Sequence, residues 1–203
     1  MLKTFRESLC AGILITIGGT VLLSCENKTA GAVLFSVALL CICYKGYYLF
    51  TGKIGYIVEQ HKKQDFLNLA VGLFGNLIAT FLLGMLLRTV LPNIGERAAE
   101  MCSAKLAQFP LYSFIRGFFC GILMYLAVSI YKEKNSVLGV LFCVPVFILC
   151  GFEHSIADMF YFGTSGIFDT KIFFFMALIV AGNTLGAMVL PLLKGVHTNE
   201  KQG

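Results

Sequence analysis

Apolar residues fill this chain in blocks too long for the core of a small soluble domain, with short polar segments between them. The first four blocks run from Ser8 to Ser24, Ala30 to Phe50, Phe66 to Leu91 and Phe109 to Tyr131. A fifth starts near Ser136 and is interrupted at Glu153-His154, and a sixth runs from Ile172 to Leu193. Several reach the ~20 apolar residues that a helix needs to cross ~30 Å of hydrocarbon. The pattern predicts an all-α membrane protein with six transmembrane helices forming a single domain over residues 1–203. CENKT, EQHKKQD, PNIGERAAEMCSAKLAQ, YKEKN and GTSGIFDTK read as polar connectors.

The two halves, 8–91 and 109–193, are weakly alike. SLCAG begins at Ser8 and SFIRG at Ser113, each a serine followed four residues later by glycine. GNLIAT begins at Gly75, 67 residues after Ser8, and GNTLGA at Gly182, 69 residues after Ser113. Each half also holds one interruption, LFTGK at 49–53 and GFEHS at 151–155. Three spans per half make the second half enter from the opposite face. An inverted repeat with broken second and fifth helices is therefore expected, with a substrate path near the repeat interface.

Composition agrees with membrane burial: 58% of residues are hydrophobic, 13% are charged, and mean hydropathy is +0.82. Lys3 and Arg6 precede an apolar run ending VLLSC, which imitates a signal peptide. More membrane follows, so that run reads as an uncleaved span. With the N-terminus inside, Lys3, Arg6, Lys62, Lys63, Lys132, Lys134, Lys194 and Lys201 are cytoplasmic. Lys28, Arg88, Arg97, Lys105 and Lys171 then lie outside. That excess favours a multi-pass protein of the plasma (inner) membrane with both termini cytoplasmic. Lys45, Lys53 and Arg116 fall near or within spans. A net charge of +5 needs no nucleic-acid partner. Six of the eight cysteines lie in apolar runs, where cysteine acts as a small hydrophobe, and Cys25 and Cys102 sit near expected water-facing ends. No CxxC or Cys/His spacing suits zinc, so no metal and no cofactor is expected.

Irregular backbone at membrane depth survives where protein or a water-filled cavity satisfies it, making Thr51-Gly52 and Gly151 with Glu153-His154 candidates for a path. Ionisable side chains there cost about 2.5–3.5 kcal/mol on insertion scales and mark function. His154 has a side chain that titrates near neutral pH, suited to giving a hydrogen bond or a proton to a small anion. Glu153 suits an anion path less well and is expected to turn away and hold a loop. Asp158, four residues beyond His154, shares its helical face. Two ligands without a third make a poor metal site, so Asp158 is expected to cap or hydrogen-bond near the outer surface. Phe35, Phe50 and Phe147 stand near the interruptions, where phenylalanine serves either as packing or as a hydrophobic constriction. No nucleophile motif or cofactor fingerprint supports an enzyme.

GFEHSIADMF closely resembles the GFEHSIANMF signature of the formate/nitrite transporter family. SLCAGILITIGG is similar to the family's first-helix motif, and LFSVALL followed by YYLFTGK to its second helix and LFTGN loop. GNLIAT, the AKLAQ lysine segment and GNTLG match in order and spacing, so the resemblance covers about residues 5–193. It implies a homopentamer in the lipid bilayer with an aquaporin-like inverted repeat. Each protomer would have its own pore for small monovalent anions of weak acids, such as formate, nitrite, hydrosulfide, acetate or lactate. Carried over by motif, His154 is the central pore histidine and Thr51 its partner. Lys105 is the vestibule lysine that attracts anions, and Glu153 the signature's acid. Phe35, Leu39 and Phe50 resemble the cytoplasmic constriction and Phe147 the outer one. The resemblance leaves open whether His154 donates a proton, making H+ a second partner, or only a hydrogen bond.

Several positions depart from the family pattern. Lys53 stands where asparagine is common, and Gly121 stands at a common pore-facing asparagine, implying a wider lumen. Lys45 places a charge in the second span, Tyr48 replaces a frequent acid, and FYFGTSGI lacks the usual proline. The segment before the first span, linked to gating in some members, is short. These departures leave a non-conducting or sensory member as the alternative to a conducting one.

Overall fold

The computed structural model describes residues 1–195, so Lys201, expected on the cytoplasmic side, lies outside the described residues. The described residues are helical, with no strand among them. The order is α1 (Leu2–Ser24), α2 (Lys28–Lys45), α3 (Phe50–Lys53), a 3₁₀ turn (Ile54–Val58) and α4 (Lys63–Val90). Then follow α5 (Pro92–Leu106), α6 (Pro110–Lys134), α7 (Leu138–Leu149), α8 (Ser155–Ser165) and α9 (Lys171–Gly195). Five of these, α1, α2, α4, α6 and α9, are long and apolar enough to cross a membrane. α7 is apolar but only 12 residues long. Large apolar side chains such as Phe74, Leu82, Phe142 and Phe173 are exposed on the outside, as lipid or another subunit would require.

The chain leaves helical geometry at two places in the same way. α2 ends at Lys45 and Gly46 adopts φ 67°. Gly46 N–H then bonds the Cys43 carbonyl at 3.2 Å, and Tyr47 N–H bonds the Ile42 carbonyl at 3.1 Å. That pair of bonds is the Schellman motif, with glycine supplying the left-handed residue. Leu49 is extended and Phe50 opens α3. At the second place Gly151 has φ 69°. Gly151 N–H bonds the Ile148 carbonyl at 3.2 Å, and Phe152 N–H the Phe147 carbonyl at 2.9 Å. His154 is extended and Ser155 opens α8. The first departure therefore precedes the expected one: Thr51 and Gly52 lie inside α3, and the irregular residues are 46–49. The left-handed turn at Gly46 decides this. It also puts Lys45 at the exposed C-terminus of α2, where its charge suits the helix dipole.

PNIGERAAEMCSAKLAQ is not a loop. It forms α5, opened by Pro92 at the first helical position, where a missing N–H costs nothing. Ile94, Ala98 and Cys102 recur at four-residue spacing and are buried together, with α5 lying against α8. Cys102 is thus fully buried rather than near water, whereas Cys150, expected in an apolar span, is exposed beside Gly151. Every residue of α8 except Met159 is buried. This short helix is the centre of the fold, packed by α1, α4, α5 and α9.

Small residues allow the long helices to meet closely. Gly117 and Gly121 of α6 face Gly182 and Gly186 of α9. A Cβ added at Gly121 would come within 2.9 Å of the Ala187 nitrogen, and closer still to the Asn183 carbonyl. Gly121 therefore packs against the α9 backbone and widens no lumen. Gly121→Asn is expected to destabilise the protein by about 1–3 kcal/mol through overpacking, read as a lower unfolding temperature in detergent. An unchanged temperature with increased conductance would restore the lumen reading.

Candidate functional site

The residues after each helix break are held by a buried asparagine. Asn76 of α4 accepts a hydrogen bond from Phe50 N–H at 2.9 Å. Its amide donates to the carbonyls of Ser8 at 2.8 Å and Tyr48 at 2.9 Å. Asn183 of α9 accepts from Ser155 N–H at 2.9 Å and donates to the carbonyls of Gly117 and Glu153, both at 2.8 Å. Both amides bond the first residue of the new helix, the carbonyl two residues before it, and a carbonyl on a neighbouring long helix. The sequence marked both positions through its repeated GN pair, but spacing alone carried no hint of this role. Gly117 is one helical turn beyond Ser113, the residue paired with Ser8 by spacing.

His154 closes this frame. Its Nδ1 accepts from Ala157 N–H at 3.1 Å, capping α8. Its Nε2 lies 2.8 Å from Thr51 Oγ1, 103 residues away in sequence. With Nδ1 occupied as an acceptor, the neutral ring carries its proton on Nε2 and donates to Thr51. The Phe147 ring stacks on the imidazole at a centroid distance of 5.6 Å. His154 and Thr51, brought together from the two irregular regions, are 2% and 1% exposed.

Lys105, at the end of α5, reaches the same region. Its Nζ donates to Glu153 Oε2 and sits 3.0 Å from Asp158 Oδ1. The Lys105 side chain is 11% exposed, and those of both carboxylates 2%. Asp158 is therefore not a surface cap but a buried partner of Lys105, and Lys105 is not an unpaired charge. Glu153 turns to Lys105, consistent with a holding role, while its backbone carbonyl is fixed by Asn183. The chain separation of Lys105 and Asp158 hid their pairing from sequence reasoning.

Two cavities flank this centre and share no lining residue. The larger, about 310 Å³, is lined by Lys105, Glu153, His154, Asp158, Phe147 and Arg116, among others. The smaller, about 80 Å³, is lined by Leu39, Leu49, Gly52, Lys53, Val128 and Lys132, among others. Phe35, Leu39, Phe50 and Phe147 are all at most 4% exposed. Phe35 meets Phe147 edge-on at 6.3 Å. It precedes Leu39 by one turn of α2, so the two share a helix face. Lys53 stands 5.7 Å from the Tyr48 ring centroid, and Lys132 lies 3.8 Å over Tyr56.

Comparison with known proteins gives consistent results. The family model described as "Formate/nitrite transporter" matches residues 1–194. A Bacillus subtilis (strain 168) protein described as "Uncharacterized transporter YwcJ" is 33% identical over 150 residues. That match takes in 67% of this chain and 59% of the relative, so the chain spans less than two thirds of its length. A solved structure titled "Pentameric formate channel with formate bound" superposes with a TM-score of 0.80 at 24% identity, covering 98% of both chains. One titled "FNT family ion channel" also gives 0.80 at 20% identity, covering 97% of this chain and 88% of that one. These two likenesses show the fold; the family model and the apolar helices describe a multi-pass membrane protein of a transporter family rather than an enzyme. The chain belongs to the formate/nitrite transporter family.

Proposed function

We propose that this protein passes small monovalent anions of weak acids, of the formate, nitrite or hydrosulfide class, through a pore in each protomer. The observation that carries this reading is the buried His154–Thr51 bond between two separate cavities. The Lys105-lined cavity is the outer vestibule and the Lys53-lined cavity the inner mouth. Phe35 with Phe147, and Leu39 with Phe50, form the apolar constrictions on either side of the polar pair. A neutral acid crosses such walls far more cheaply than an anion. His154 Nε2–H is the donor available to an anion that displaces Thr51, giving a hydrogen bond or, in a proton-coupled cycle, a proton.

The topology belongs to the same proposal. α2 with α3, and α7 with α8, make two broken passages, so six passages arise from the five long helices and α7. The repeat halves 8–91 and 109–193 form one domain, with both termini on the cytoplasmic side of the inner membrane. The pentameric formate channel with the same fold supports a homopentamer and the substrate class.

Purified protein in liposomes is expected to pass formate, nitrite or hydrosulfide above the rate of empty liposomes, with a pH gradient altering the rate if protons are coupled. Flux equal to empty liposomes for all three anions, with and without the gradient, would overturn the reading in favour of a non-conducting member. Conversion of the anion into another species would point to an enzyme.

A further inference from the structure

We propose that Lys105, Glu153 and Asp158 form a proton-binding site, with one exchangeable proton on Oδ2 of Asp158, and that its release weakens the vestibule's attraction for anions.

Lys105 Nζ donates to Glu153 Oε2 and pairs with Asp158 Oδ1 at 3.0 Å. Asp158 Oδ2 is buried, has no hydrogen-bond partner, and belongs to a residue that is 1% exposed and lines the 310 Å³ cavity. A bare carboxylate oxygen in that position loses its hydration without gaining a donor. As a hydroxyl it becomes a hydrogen-bond donor in a residue that lines the cavity. Charge arithmetic agrees: one ammonium and two carboxylates sum to −1, and one proton brings the group to zero. Two carboxylates sharing one cation at close range disfavour double ionisation.

Among the described residues, the groups around Asp158 come from several elements, and α9 contributes the neutral Asn183 at the start of α8. From α5, Asp158 feels Lys105 and Cys102; from α6, Cys120; from the loop before α8, Glu153; and from α8 itself, Tyr161. Arg116, bonded to the neutral Gln108 at 2.9 Å, and Lys28 line the same cavity, two cations outside the trio. His154 lines it too, with Nδ1 and Nε2 committed to Ala157 and Thr51. α1 and α4 meet α8 further along, through Gly19 against Phe160 and Gly84 against Thr164.

The step is a simple dissociation: the Oδ2–H bond breaks, its electron pair stays on Asp158, and the proton leaves to water in the cavity. Raising the pH therefore takes the group from 0 to −1, and anion entry falls. The effect on flux rests on the anion-passage reading above, whereas the proton site itself does not.

Asp158→Asn tests both parts, because an amide oxygen still accepts from Lys105 while the group stays neutral at every pH. Formate flux into liposomes is measured for both proteins with equal pH on the two sides, from mildly acidic to mildly alkaline. The ratio of variant to wild-type flux cancels formate's own titration. It is expected to rise roughly tenfold across the range, as expected for one unit charge near the path. Independently of conduction, the infrared spectrum of the purified wild-type protein is expected to show the carbonyl stretch of a protonated carboxylic acid. That band should disappear at high pH and be missing from Asp158→Asn. A flat flux ratio would overturn the effect on anion entry. No wild-type band, or a band that survives Asp158→Asn and is lost in Glu153→Gln, would overturn the assignment of the proton to Asp158. If formate fails to cross with either protein, the anion-passage reading fails for formate, and the infrared band still decides the proton site.

Discussion

Replacing His154 with asparagine is expected to lower anion flux roughly ten- to a hundredfold while leaving the protein folded. The ring does two separable jobs. Nδ1 caps α8 through Ala157 N–H, and Nε2 faces Thr51 across the centre of the molecule. Asparagine is among the best residues at a helix N-cap, so the His154→Asn variant would keep the first job. Its shorter side chain cannot keep the second, and the donor at the neck would be lost. A hydrogen bond to a charged group contributes about 1.5–3 kcal/mol, which sets the size of the effect on flux. His154→Ala would lose the cap as well, at a further cost of about 1 kcal/mol in stability. The check is formate flux beside thermal unfolding for the two variants. Wild-type flux in a folded His154→Asn protein would remove the histidine from the path.

Asn183→Ala is expected to have the largest effect on stability. It would strip a partner from Ser155 N–H and from the carbonyls of Gly117 and Glu153, all in the buried interior. Unmet polar groups cost about 1–3 kcal/mol apiece, so a loss of roughly 3–9 kcal/mol follows for the three. Hydrocarbon around the protein offers no water to repair them. Asn183→Asp would keep the acceptor but lose both donors and add a charge, and should be no milder. Thermal unfolding in detergent, or folded yield after extraction, measures the outcome. A shift as small as that of an exposed α9 substitution would show that the clamp is dispensable.

Much of this arrangement is readable from sequence where it depends on local pattern. Long apolar blocks locate the membrane helices, and GFEHS falls on a true interruption at Gly151. Spacing brings out the GN pairs, which hold the two structural clamps. What escapes is of two kinds. Some features are local but masked: α5 carries its buried stripe on Ile94, Ala98 and Cys102, too small and sparse to stand out among charges. Gly46 likewise ends α2 inside a run that stays apolar up to Phe50. Others are non-local. Nothing between residues 105 and 158 announces that one ammonium will meet two carboxylates, and the Phe35–Phe147 contact crosses two helices. Gly121 misleads because a missing side chain suggests space, while its neighbour is another backbone.

The twin asparagine clamps divide labour between scaffold and chemistry. Counting from each left-handed glycine, Leu49 holds the backbone position in one loop that His154 holds in the other, three residues on. Each lies at a wall of a different cavity, Leu49 beside Lys53 and His154 beside Lys105. The two asparagine amides bind peptide groups and do not read the side chain at that position, to which His154 adds its own cap on α8. One copy can therefore stay greasy while the other acquires an imidazole. A near-symmetric framework thus yields a directional interior, in which the two ends of the molecule are chemically unlike although their bones match.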